Sequence, residues 1–261
     1  MDYKVSVIIP FHRLENMAYL LACLKSLENQ NCSLEIIIVT DKEIPLELQS
    51  PNKVIENKSK RTYAEKVNEG VRHATGTHLL IGQDDLIFSK DCIKTMLEEI
   101  NMASCMMNPM SNCDLENQFF TKFSFSDETG KTHIELRKSH KLEEIKPFLP
   151  TLMQKISFAP VWQKTSFLNT YCTLMTRKTW DDLGGYDENF RNGKEDIDLS
   201  LRANRLNIPM FINWNCFVLH FSGVTAEHHD LSEDNRHSND YFETKYGNQS
   251  LFVFENKKPL T

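Results

Sequence analysis

Through the first hundred residues, short aliphatic runs alternate with stretches whose apolar positions recur every three or four residues. Residues 5–10 are a short β-branched run ending in a proline, which reads as a buried strand. Met17, Leu20, Leu21, Leu24 and Leu27 then fall at helical spacing. Residues 34–40 repeat the buried-strand pattern, and residues 45–60 are polar, with room for one short strand at 54–56. Ala64, Val67, Val71 and Ala74 form a second helical stripe that Gly76 is expected to cap. Residues 77–81 make the next strand, and Ile93, Met96, Leu97 and Ile100 mark a third helix. This alternation predicts an α/β fold with a mostly parallel central sheet and helices on both faces.

Beyond residue 100 the pattern loosens. Residues 101–165 lack clean periodicity and read as strands and loops. Residues 171–176 are strand-like, 196–206 helical up to Pro209, 210–221 extended, and 232–246 helical. No internal repeat or linker appears, so one domain is expected over 1–261, with a regular half at 1–100, a less regular half at 101–225 and a C-terminal helical tail at 226–261.

Composition narrows the partners. The 261-residue chain has a formal net charge of −6, so it lacks the global basic surface that nucleic acid would need. No apolar run approaches the ~20 residues of a membrane span, and the chain enters its first strand with no leader-like segment. Seven cysteines without a CxxC pair read as free thiols in a reducing, cytoplasmic setting rather than a disulfide or zinc framework.

Sheets of this kind bind ligands at the carboxyl ends of their strands, where Pro10, Asp41, Asp84 and Asp85 all fall. Adjacent carboxylates repel, so Asp84-Asp85 at a strand end calls for a compensating partner: a divalent cation, or more simply solvent or a helix start near residue 89. Glu195 and Asp196 open an amphipathic helix, where acids suit the helix dipole and where a general base could be held rigidly. Gly184-Gly185 suggests a tight turn ahead of them. His220 closes an extended apolar segment; such a histidine is either structural or an added ligand for Mn²⁺. His228 and His229 follow in a polar setting. Trp162, Tyr171 and Trp180 are core aromatics or, alternatively, stacking platforms for a sugar ring.

In order and spacing these pieces resemble the family 2 glycosyltransferases, inverting enzymes with the GT-A fold, a Rossmann-like nucleotide-diphosphosugar architecture. The resemblance runs through residues 5–12, 35–41 and 68–76, then Gln83-Asp-Asp85 where that family keeps its DxD-type motif. It resumes at Leu183-Gly-Gly-Tyr-Asp-Glu188, Glu195-Asp-Ile-Asp-Leu199, Val218-Leu-His220 and 241–247. It departs at Gln83, where many relatives carry an acid, and at Val39-Thr-Asp41, where two acids often stand together.

The resemblance implies a nucleotide-sugar donor, UDP-linked before GDP or dTDP, a glycan or glycoconjugate acceptor, and Mn²⁺ or Mg²⁺. It implies that Asp41 accepts a hydrogen bond from the base, that Pro10 and Phe11 line the same pocket, and that Asp84 holds the ribose or shares the metal. Asp85 and His220 would bind the metal. Asp196 would be the catalytic base, with Glu195 the alternative, and Arg61 or Arg13 would steady the base or diphosphate. A lipid-linked acceptor would bring peripheral membrane association through the tail, although 232–247 carries little basic charge. A nucleotidyltransferase is disfavoured, because residues 10–20 hold no glycine to cradle a triphosphate. A catalytically inactive nucleotide-sugar-binding module remains the alternative.

Overall fold

The computed structural model describes residues 4–45, 48, 52–100, 104–115, 123–136, 140–224 and 230–247. In chain order its elements are β1 (Lys4–Phe11), α1 (Met17–Leu27), β2 (Ser33–Thr40), β3 (Lys53–Glu56), α2 (Tyr63–His73), β4 (His78–Ile81), β5 (Leu86–Phe88) and α3 (Cys92–Glu99). There follow β6 (Met106–Ser111), α4 (Asn112–Leu115), β7 (Phe123–Ser126), β8 (His133–Leu136), α5 (Leu142–Ile145) and α6 (Leu149–Leu152). The chain continues through β9 (Trp162–Thr165), β10 (Thr173–Thr176), α7 (Arg177–Leu183), α8 (Glu195–Arg205), β11 (Met210–His220) and α9 (Ser232–Tyr246).

One central sheet runs β3-β2-β1-β4-β10-β6-β11-β5, with β9 paired to β11. Its first four strands are parallel, as alternating strand and helix require. β10 then inserts antiparallel between β4 and β6, and β11 lies parallel to β6. β7 and β8 form a separate hairpin.

The strand period of two sorts β1 onto both faces. Val5, Val7, Ile9 and Phe11 pack with α1 and α3, while Ile8 packs on the other side with α2, α7 and α8. Each such buried aliphatic contributes roughly 1.5–3 kcal/mol over its exposed state. Along α1 the buried stripe is Leu20, Cys23 and Leu27, with Met17 and Leu24 partly covered; Leu21 stays 48% exposed. Small Cys23 and Ser26 lie against the sheet beside Leu20 and Leu27.

α2 begins with a reciprocal capping box between Thr62 and Glu65. It ends at His73, and Gly76 is not its cap, since Ala74 takes that place in extended backbone. Gly76 is required for close approach: a Cβ there would lie 2.6 Å from the Lys4 carbonyl oxygen and 2.7 Å from the Ser6 nitrogen. Nor does the third helix begin near residue 89. Ser89 hydrogen-bonds Phe217, and Asp91, at φ 60, precedes the helix. Tyr171 and Trp180 are buried in the core, and Trp162 is partly exposed with its indole N–H donating to Glu99 at 2.7 Å. All seven cysteines are free. No helix among the described residues is long and apolar enough to cross a membrane.

Candidate active site

A cleft of about 440 Å³ opens where the parallel strands end. β1 supplies Pro10 and, just beyond its end, His12 and Arg13; the end of β2 supplies Asp41 and Lys42. The start of α2 gives Arg61, Thr62 and Tyr63, and the connection from β4 to β5 gives Gln83, Asp84 and Asp85. The far wall is Arg191, Asn192, Glu195, Gly223, Val224, Leu231 and Asp234.

The acidic turn is anchored at both sides. Gly82 N–H donates to the Ile8 carbonyl at 2.9 Å, tying its start to β1. Phe221 N–H donates to the Asp85 carbonyl at 3.1 Å, and Leu86 pairs with His220 across the sheet. Asp84 and Asp85 are thereby buried side by side, and neither Asp84 Oδ2 nor Asp85 Oδ1 has a hydrogen-bond partner. Burial, then the neighbouring Asp85 carboxylate, raises the Asp84 carboxyl well above its ordinary value, with an Asn16 hydrogen bond and Lys66 opposing.

His220 is not part of the cleft lining but stands directly behind it. Its Nε2 lies 3.4 Å from Asp85 Oδ1, an ion-pair separation without hydrogen-bond geometry, and 2.9 Å from Gln83 Oε1. Its ring stacks on Tyr171, with centroids 5.4 Å apart. Burial alone would lower its pKa, but the Asp85 carboxylate and Cys113 outweigh this and raise it to about 10.

Among the described residues no group of three or more His, Cys, Asp or Glu side chains is gathered to hold a metal ion. The donor set nevertheless fits a cation of the Mg²⁺ or Mn²⁺ kind. Such ions take one or two carboxylates and complete their shell with phosphate oxygens and water. Two buried carboxylate oxygens without hydrogen-bond partners at the cleft wall, with His220 behind one of them, are that kind of incomplete site.

Facing the acidic turn, α8 starts from two residues in left-handed backbone, Gly193 and Lys194, each at φ 74. This sharp entry directs Glu195 into the cleft. Glu195 Oε2 is shut off from water and has no hydrogen-bond partner. Burial, then the adjacent Asp196 charge, raises its carboxyl above the ordinary glutamate range. Asp196 is not among the lining residues; its Oδ1 accepts the Ile197 N–H at 2.8 Å. Ahead of α8, Gly184 (φ 77) and Gly185 (φ 74) make the tight turn, and Gly185 packs against Asn68 and Trp180. α9 holds the wall in place. Ser238 Oγ accepts N–H bonds from Arg191 and Asn192, both at 3.0 Å. Buried Asp198 binds Lys245, Tyr246 and Arg202, each at 2.6 Å.

At the nucleotide side, Asp41 lines the cleft with its carboxylate already engaged. Lys66 Nζ approaches Oδ1 at 2.7 Å and Lys42 Nζ approaches Oδ2 at 3.0 Å. Burial would raise this acid, yet the two ammonium groups hold it down at about 2. Pro10 and Arg61 line the cleft as well. Phe11 does not: its ring is buried in the core and only its carbonyl turns to the site, accepting from Lys66 at 3.0 Å. Sequence reasoning did not single out Lys66, Arg191 or Asp234. Only Lys66 carried a signal, as a charged residue one step from Val67 on the buried face of α2. His228 and His229 lie outside the described residues.

The parallel sheet with an acidic turn crossing between its halves defines a GT-A fold. Residues 6–105 match the model of glycosyl transferase family 2, which bears out the resemblance read from the sequence. No curated protein matches the chain. Among solved structures, GalNAc-T7 with UDP, GalNAc and Mn²⁺ has a TM-score of 0.59 at 13% identity, covering 84% of this chain and 43% of that one. Mannosyltransferase PcManGT from Pyrobaculum calidifontis, in complex with GDP-Man and Mn²⁺, has a TM-score of 0.56 at 13% identity, covering 84% and 57%. S. aureus TarS 1-349 has a TM-score of 0.55 at 13% identity, covering 98% and 76%. The chain thus spans about half the length of the first two, and likenesses at this identity establish the fold.

Proposed function

We propose that the chain is an inverting glycosyltransferase that moves a sugar from a nucleotide-diphosphate donor, UDP-linked first, to a hydroxyl of a glycan or glycoconjugate. One observation carries the reading: a single cleft gathers Asp41, Asp84, Asp85 and Glu195, and three of these acids keep buried oxygens without hydrogen-bond partners. Unpartnered buried carboxylates are costly to the fold, and a charged ligand offsets that cost. Two of the structural neighbours hold UDP and GDP-Man, each with Mn²⁺.

In this reading Asp41 accepts from the base, and Pro10 and Arg61 wall the nucleotide. Asp84 serves the ribose, while Asp85, backed by His220, holds the divalent ion. When bound, that ion neutralises charge on the departing diphosphate. The acceptor hydroxyl attacks the anomeric carbon from the side opposite the leaving group. Its proton passes to a carboxylate at the start of α8. Glu195 is our choice over Asp196, because Glu195 lines the cleft. An acid raised by burial toward neutral pH is matched to that task. The seven free cysteines suit a reducing compartment.

The test is release of nucleoside diphosphate from a panel of UDP-, GDP- and dTDP-sugars with glycan acceptors and Mn²⁺. Turnover of at least one donor, lost in Glu195→Gln with nucleotide binding retained, is expected. Tight nucleotide binding without turnover across the panel would instead favour the inactive binding module.

A further inference from the structure

Among the described residues Lys66 is the one buried lysine, with its side chain 0% exposed. It projects from the buried face of α2 to the floor of the cleft. There its ammonium reaches Asp41 Oδ1 at 2.7 Å, His12 Nδ1 at 2.9 Å and the Phe11 carbonyl at 3.0 Å. Nδ1 of His12 therefore serves as an acceptor, and burial together with Lys66 keeps that ring neutral, its pKa lowered to about 3. Each of the three ammonium donors has an acceptor, so the charge is fully committed. A lysine brought this far from water is expensive unless its pairing does something a hydrophobic residue could not.

Two features of Asp41 depend on this contact. Its geometry is fixed, because one carboxylate oxygen is tied down and only Oδ2 remains for a ligand. The Lys42 ammonium on Oδ2 belongs to a half-exposed side chain and can yield. Its chemistry is fixed as well. Burial works to protonate Asp41, and the hydrogen bond from Lys66 is foremost among the contacts that oppose it. A carboxylate is an acceptor only, whereas a carboxylic acid also donates.

Resting on the nucleotide-sugar reading above, we propose that Lys66 is a positioning residue for nucleobase selection. By clamping Asp41 Oδ1 it keeps Asp41 an acceptor-only group. The pocket then favours a base with a ring N–H, such as uracil, thymine or guanine, over cytosine. Cytosine presents a bare ring nitrogen at the matching position, and two lone pairs would face each other. Without Lys66, Asp41 loses the contact that holds Oδ2 in place toward the base, and the preference for a ring N–H weakens.

The experiment is calorimetric titration of the full chain with UDP, GDP and CDP in the presence of Mn²⁺. In the wild type the better of UDP and GDP is expected to bind about 10–100-fold more tightly than CDP, the range for one hydrogen bond to a charged group. Lys66→Met should bring that ratio close to one, and Lys66→Arg should restore part of it. A merely structural lysine would weaken all three nucleotides by the same factor, and an unchanged ratio in Lys66→Met overturns the proposal. Should Lys66→Met fail to fold, the double variant Lys66→Met/Asp41→Asn leaves no unpaired buried charge. Its amide can donate to cytosine, so CDP should bind at least as well as UDP; retained discrimination against CDP overturns the proposal. Wild-type protein that binds CDP as tightly as UDP and GDP also overturns it while leaving the glycosyltransferase reading intact. Wild-type protein that binds no nucleotide overturns both.

Discussion

Glu195 gives the sharpest expectation, because its environment links catalysis and stability with opposite signs. Its Oε2 is sealed from water without a partner, and Asp196 adds a like charge beside it. Both raise the folded-state pKa above the unfolded value. The folded protein therefore binds the proton more tightly than the unfolded chain. Stability is highest below the unfolded glutamate value and declines as pH rises from there to the folded pKa, by at most about 1.4 kcal/mol per pH unit for one proton. Activity moves the other way. Only the ionised form is a base, so on the acid limb the rate should rise about tenfold per pH unit and then level off. Glu195→Gln removes both effects. It should lower turnover by about 10²–10⁴-fold, and at pH 8 it should melt higher than the wild type. Initial rates of nucleoside diphosphate release, with thermal melts in the same buffers from pH 5.5 to 9, measure both. A flat rate profile below pH 7 would show an ordinary carboxylate at this position. A variant that melts lower at pH 8 would show that Oε2 has a stabilising partner, and either result refutes the reasoning.

Other changes test other parts of the molecule. Asp85→Asn removes the carboxylate that faces buried His220 at 3.4 Å, so the metal-free protein should melt lower, while Mn²⁺ with UDP should raise the melting temperature less than in the wild type. Gly76→Ala should cost roughly 1–3 kcal/mol in urea denaturation, because the added Cβ would meet the backbone of Lys4 and Ser6. Asp198→Asn removes the charge that Lys245, Arg202 and Tyr246 share, while Lys245 keeps Asp187, and should cost about 1–3 kcal/mol, with faster amide exchange along α9. Glu35 accepts from Ser6 and Thr75 and lies near Lys4; these contacts outweigh burial and lower its pKa to about 2. Its stabilisation is present above the unfolded value and lost as pH falls toward 2, so Glu35→Gln should flatten the acid limb of a pH–stability curve.

Much of this was legible in the residues themselves. β1, β2, α2, α8, β11 and α9 follow from local periodicity, and their ends fall within a few residues of expectation. The acids at strand ends were legible too, since a parallel sheet exposes its ligand edge there. Less could be read where the determinant is distant. β10 runs antiparallel between β4 and β6 because segments far apart in sequence pair, which no window records. β5 is a three-residue strand whose apolar pattern merges with the residues around it. Gly76 resembles a helix cap locally, and only the approach of β1 reveals its other purpose. At the site, sequence reasoning puts the base at Asp196 ahead of Glu195, whereas Glu195 is the member that lines the cleft, because the left-handed entry at Gly193 and Lys194 sets that choice. Arg191 and Asp234 reach the wall through packing of α9, and exposed charges carry no local sign of such a role.

A crystal structure of the chain soaked with UDP and Mn²⁺ tests the central claim most directly. The account expects the base against Asp41, the ion bonded to Asp85 and to diphosphate oxygens, and the Glu195 carboxylate facing the space beyond the diphosphate. Nucleotide bound elsewhere on the molecule, with Asp85 and Glu195 making no contact with it, would contradict the account.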